Sequence, residues 1–154
     1  MSYNRIHLSI LLFITIILFT WWSNPTFTPK KSPDRHEYIA VAKNFSDHTN
    51  ELRSFGYPLL IRFTMIISDT NWEKVLMMIQ VILHSFSVIL IQRALFNMGI
   101  NDQISYPVSF LVGIHPSLIF YSTYLLAESF LGFLIIVFWY LSINLFNKKA
   151  RKVV

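Results

Sequence analysis

Long uncharged apolar runs alternate along this chain with short polar stretches, and the lengths of the runs set the architecture. A membrane-spanning helix needs about 20 apolar residues, each adding about 1.5 Å. The first run, Leu8 to Trp22, ends in Thr20-Trp21-Trp22-Ser23-Asn24-Pro25. Bulky indoles stand where a signal peptidase requires small residues, and paired tryptophans anchor a span at the interface. The run therefore predicts an uncleaved span near residues 6–22. Val75 to Ile91 is uncharged and is extended outward by Trp72, which predicts a second span near 72–91. From Ser105 to Asn147 the only formally charged residue is Glu128. That stretch is too long for one crossing and suits two, near 106–124 and 129–146, with Glu128 marking the turn.

Between the first two spans lies the polar stretch of the chain, an expected outer loop over 23–71. Ser32-Pro33-Asp34 is a helix start signal, with Ser32 as cap and Pro33 at the first helical position. A helix over Pro33–Phe45 would place Tyr38, Ala42 and Phe45 on one apolar stripe. Gly56 to Ser68 is apolar but divided by Arg62, and it is too short to cross a bilayer. It predicts a helix lying in the interface with Arg62 reaching to the headgroups. Within the spans, Gln80 and His84 stand one turn apart and predict interhelical hydrogen bonds. His115-Pro116 falls midway along the third span, where proline frees a carbonyl that the imidazole or a neighbouring serine could satisfy. The expected fold class is thus an all-α membrane protein, a single domain over 1–154, with about four transmembrane helices and an outer loop carrying one or two juxtamembrane helices.

Composition sharpens this picture. The chain is 54% hydrophobic and only 14% charged, well below the quarter-charged make-up of soluble domains. Its net charge of +5 is spread over loops and builds no nucleic-acid face; membrane lipids are the expected partners. With no cysteine, disulfides, thiolate metal sites and a cysteine nucleophile are excluded. The tail over 147–154 carries Lys148, Lys149, Arg151 and Lys152, and the loop Gln92–Ile104 carries Arg93 against Asp102. By the positive-inside rule both face the cytoplasm, and an even number of spans puts the amino terminus there as well. The outer loop is nearly balanced in charge.

Candidate chemistry gathers on the outer side. Asp34 and Glu37, three apart, would share one face of the loop helix, and Glu128 reaches the same interface by topology. Three carboxylates would then converge on one membrane face. Asp34 and Glu37 could equally complement the dipole of the helix they start. An acid at the head of an apolar hairpin is a functional candidate by default. His36 and His48 lack the paired spacing of a zinc helix.

The chain resembles the integral-membrane glycosyltransferases of the GT-C fold, in particular the protein mannosyltransferase and aminoarabinose transferase branch. The likeness rests on Asp34, Tyr38, Ala42 and Phe45 in order and spacing, on the Gly56-Tyr57-Pro58 turn into a juxtamembrane helix, on Gln80, and on the stretch Pro116 to Glu128. It implies transfer of a sugar from a polyprenyl-phosphate donor at the outer face of a bacterial inner (plasma) membrane. It also implies a catalytic role for Asp34 as base or metal ligand, joined here by Glu37 and Glu128. Tyr38, Arg53, Tyr57 and Arg62 would bind substrate, the two arginines supplying charge to the leaving phosphate. Many relatives carry a second acid directly after the aspartate, where this chain has Arg35, so a divalent metal ion stays an open alternative. Family members have many more spans. The resemblance therefore implies a truncated or split form completed by a larger membrane protein, and the alternative is a non-catalytic assembly subunit that keeps the first helices of the fold.

Overall fold

The computed structural model describes residues 3–26, 28–44 and 56–153, with side chains from 6 to 147 within those ranges. Among the described residues there are seven helices and no strand: α1 (Tyr3–Ser23), α2 (Arg35–Lys43), α3 (Gly56–Ile67), α4 (Trp72–Asn97), α5 (Asp102–Gly113), α6 (Pro116–Thr123) and α7 (Ala127–Val153). The protein is an all-α membrane protein. α1, α4 and α7 are each long and apolar enough to cross a bilayer, and α5 and α6, joined through a 50° bend, reach that length only as a pair, as a broken span or a re-entrant loop. α3 is the short apolar helix that the division at Arg62 predicts.

α4 is the axis of the bundle, packed against α1, α3, α5, α6 and α7. Gln80, His84, Gln92 and Asn97 face these neighbours and carry interhelical hydrogen bonds. At the end that holds the tail, Gln92 Oε1 accepts from Ser9 Oγ of α1 (3.3 Å) and Asn97 Nδ2 donates to Asn144 Oδ1 of α7 (2.7 Å). Asn147 Nδ2 then donates to the Asn97 carbonyl (2.7 Å). Several hydroxyls inside the spans turn back on their own helices, as Thr20 on the Ile16 carbonyl, Ser85 on Val81 and Ser109 on Ser105, so these need no water.

The turn between α4 and α5 is shorter than the apolar pattern predicts. α4 runs on to Asn97, which places Arg93 inside the helix and not in a loop over 92–104. It stops at Gly99, whose φ of 88° is open to glycine. The Gly99 amide donates to the Phe96 carbonyl and the Ile100 amide to that of Leu95, the paired bonds of a left-handed helix stop. Asn101 then caps α5, its side chain accepting from the Ile104 amide at 3.1 Å.

The α5–α6 break falls at the expected His115-Pro116, but its satisfaction differs. His115 is exposed, and the ring that reaches the freed backbone is that of His84, with Nε2 2.9 Å from the Gly113 carbonyl. The helix bends sharply here, and a partner on the neighbouring straight helix keeps its position. Gly113 also lets the helices approach closely. A Cβ there would stand 2.3 Å from Ile16 Cδ1 of α1 and 3.1 Å from Val88 Cγ2 of α4. Gly113→Leu is therefore expected to lower stability by about 1–3 kcal/mol, read as a reduced melting temperature in detergent, and Ile16→Ala in the same chain should recover part of the loss. An unchanged melting temperature for Gly113→Leu would show that the crossing is looser than described.

Candidate functional site

The polar loop meets the bundle at the opposite end, where α6 breaks into α7. Lys30 pairs with this break in parallel: its amide donates to the Thr123 carbonyl (3.1 Å) and its carbonyl accepts from the Leu125 amide (3.2 Å). Ser32, expected to cap the loop helix, instead donates its hydroxyl to the Leu125 carbonyl at 2.8 Å. The cap would have served one helix end, whereas this bond ties the loop to a break 93 residues away. The Lys30 ammonium lies 5.8 Å and 5.7 Å from the ring centres of Phe120 and Tyr124, which stack on each other. α4 completes the joint, with Gln80 Nε2 donating to the Leu126 carbonyl at 3.0 Å.

This joint positions a cluster drawn from four segments. α2 starts at Arg35 with Asp34, itself in a helical conformation, as its boundary residue, two residues later than Pro33 predicts. Asp34 thus stands just ahead of the helix that was to carry it on a face with Glu37. Tyr38 and Ala42 are buried as the stripe predicts, joined by Val41, while Phe45 lies outside the described residues. The Tyr38 ring meets that of Tyr57 edge to face at 5.0 Å. Tyr57 is 2% exposed and packs with Ile61, Leu76 and Leu125, and Ala127 and Phe130 of α7 close over the cluster. Arg35 forms an ion pair with Glu73 in the first turn of α4, fixing α2 to α4.

Burial pushes the Tyr57 hydroxyl well above the ordinary phenol range, with Tyr38 and the Glu128 carboxylate acting in the same direction and the Gln80 side chain against them. Neither this hydroxyl nor Gln80 Oε1 is in a well-formed hydrogen bond among the described residues. Glu128 stands exposed in the first turn of α7, where its charge complements the helix dipole. It heads a cleft of about 60 Å³ between α4, α6 and α7 that His84, Ser87, Tyr121 and Ser129 also line. Glu37 is exposed on α2. Arg62 is exposed on α3 and borders a separate groove of about 490 Å³ with Leu59, Phe63, Ile66 and Phe130. Arg53 lies outside the described residues.

The structure thus brings together Tyr38, Tyr57, Gln80 and Glu128. Among the described residues no three of the histidines and carboxylates gather into a group that could hold a metal ion, and Asp34, Glu37 and Glu128 do not fit one. Sequence reasoning missed the Lys30 and Ser32 contacts with the α6–α7 break and the Arg35–Glu73 pair. A lysine or a serine in a polar loop carries no local signal of a partner so distant in sequence.

No known protein family, no curated protein and no solved structure matches the chain.

The buried hydroxyl carries a pH signature. A phenol whose folded-state pKa is raised keeps its proton longer in the folded than in the unfolded chain, so its contribution to stability is intact below the ordinary value of 10.0 and is lost as pH rises beyond it. Tyr57→Phe removes the titrating group. The unfolding midpoint of the variant in detergent should accordingly fall less steeply above pH 10.0 than that of the parent chain, and parallel alkaline limbs would contradict the burial of this hydroxyl.

Proposed function

We propose that the end of the bundle carrying α2 and α3 is the reaction face of a membrane glycosyltransferase that takes a sugar from a polyprenyl-phosphate donor. The observation that carries this reading is the meeting of Tyr38, Tyr57, Gln80 and Glu128. These are residues of four segments that the family likeness singles out one by one from order and spacing, and their grouping at one end of the bundle supports the reading. In the proposed reaction the acceptor hydroxyl attacks the anomeric carbon as the bond from that carbon to the phosphate oxygen breaks, with inversion. Asp34, half-buried at the head of α2, takes the hydroxyl proton, since an acceptor of this kind needs a carboxylate within hydrogen-bond reach. Arg62 meets the negative charge of the leaving polyprenyl phosphate, with Arg53 as a further candidate, and Glu37 is the alternative base to Asp34. No step is routed through a metal.

The orientation that goes with this reading puts both termini in the cytoplasm and the α2–α3 end outside, in a bacterial inner membrane. A larger membrane protein covers the apolar face of α7, where Leu131, Ile135, Phe138 and Phe146 are all more than half exposed, and encloses the donor. Enclosure supplies the orientation and dryness that transfer from a lipid donor uses. A second reading, an assembly subunit without catalysis, is favoured by the burial of Tyr38 and Tyr57, which serve the core as rings whatever else they do.

Two experiments separate these. In native membranes supplied with a labelled polyprenyl-phosphate sugar, Asp34→Asn is expected to cut transfer by about 10²-fold or more while expression and insertion stay normal. Full transfer by the variant would remove Asp34 from the reaction, and loss of transfer only through loss of partner binding would favour the assembly reading. Because the chain has no cysteine, Thr70→Cys and Gln103→Cys, both at exposed positions, report orientation. An impermeant thiol reagent on intact cells should label Thr70→Cys and spare Gln103→Cys; the reverse pattern would invert the topology.

A further inference from the structure

The far end of the bundle holds a second feature, unrelated to the chemistry proposed above. α1 and α4 leave between them there a groove of about 390 Å³, walled by Ile6, Ser9, Ile10 and Phe13 on one side and by Phe86, Ile89 and Leu90 on the other. Phe13 and Phe86 close it toward the bundle middle, their ring centres 5.1 Å apart. Arg93 borders the groove near the α4 terminus. From Phe13 to Ile6 the groove covers about two helical turns, or about 10 Å along the axis.

Arg35 and Arg93 both hold a buried Nε without a hydrogen-bond partner among the described residues, but Arg35 is paired with Glu73. Arg93 is half-buried, and among the described residues no carboxylate forms an ion pair with it. The C-terminal end of α4 favours a cation, but that field neither satisfies a buried Nε nor fills an apolar groove. A buried guanidinium edge calls for an acceptor that spans two donors, and phosphate oxygens suit this fork. The order of the groove matches one leaflet of a bilayer, with charge at the helix end and hydrocarbon toward the middle.

We propose that this groove is a binding site for an anionic phospholipid, whose phosphate is held by Arg93 and one of whose acyl chains lies between α1 and α4 as far as the Phe13–Phe86 contact. A headgroup bearing an ammonium would bring a second cation beside Arg93, so the site distinguishes phosphatidylglycerol-like lipids from zwitterionic ones of the same chain length.

The test is native mass spectrometry of the purified full chain in mild detergent, titrated separately with phosphatidylglycerol and with phosphatidylcholine of identical acyl chains. The parent chain should retain phosphatidylglycerol with an apparent affinity about tenfold higher, from charge-assisted hydrogen bonds. Arg93→Gln should abolish this preference, whereas Lys74→Gln, an exposed cation at the other end of the bundle, should leave it intact. If Arg93→Gln fails to fold, Arg93→Lys and Leu90→Trp carry the test: the first should keep a reduced preference and the second should weaken both lipids by blocking the groove. Equal retention of the two lipids by the parent chain, an undiminished preference in Arg93→Gln, undiminished retention of both lipids by Leu90→Trp, or a lipid-resistant dimer seated on the groove would overturn the proposal.

Discussion

Backbone groups set free by a helix break inside a bilayer must find their partners within the protein, because hydrocarbon offers none. This chain interrupts its helices after Gly113, within the bent pair of α5 and α6, and again over Tyr124–Leu126, where α6 turns into α7, and bonds from elsewhere in the fold meet both interruptions. α4 supplies both repairs from one side, His84 at the Gly113 carbonyl and Gln80 at the Leu126 carbonyl. The polar loop supplies the other side of the second break through Lys30 and Ser32. The polar residues of an otherwise apolar chain are thus concentrated where the backbone needs them.

The consequence for function is positional. A polar loop between two spans would ordinarily be free to wander above the membrane. Here it is bonded to the α6–α7 break at Lys30 and Ser32, joined to α4 through Arg35 and Glu73, and packed by Tyr38 onto Tyr57. The same break that receives the loop starts α7 and so sets the height of Glu128. One joint therefore fixes the position of the candidate base at the head of α2 relative to the carboxylate at the head of α7. Side chains held by packing and second contacts are what a reaction site needs, since small misplacements of reacting groups cost large factors in rate.

Much of the architecture is written in the apolar runs. Their lengths predict the crossings and the short helix of Gly56–Ile67, and Trp72 marks the start of α4. Pro116 marks the bend, and Gln80 and His84 announce their interhelical bonds. What the runs do not carry is the identity of partners across the fold. His115 is the nearer imidazole in sequence to the Gly113 carbonyl, yet the bend turns it outward and His84 takes its place. Ser32 reads as a helix cap from its local context, and only the arrival of Leu125 beside it redirects the hydroxyl. Arg93 reads as a loop charge until Gly99 is seen to stop the helix later than hydropathy alone implies. Of the candidate site, Tyr38 and Tyr57 are legible as a stripe and a turn, but their contact is a property of how α2 and α3 dock together.

The α6–α7 break, mended by Gln80, Lys30 and Ser32, holds the loop and the head of α7 as one unit. The most direct test of this is hydrogen–deuterium exchange of the chain in lipid nanodiscs, comparing the parent with Gln80→Leu. Exchange is expected to rise together in the segments around 30–38 and 123–128, although the substitution lies in α4. Faster exchange confined to α4, with both segments unchanged, would contradict it.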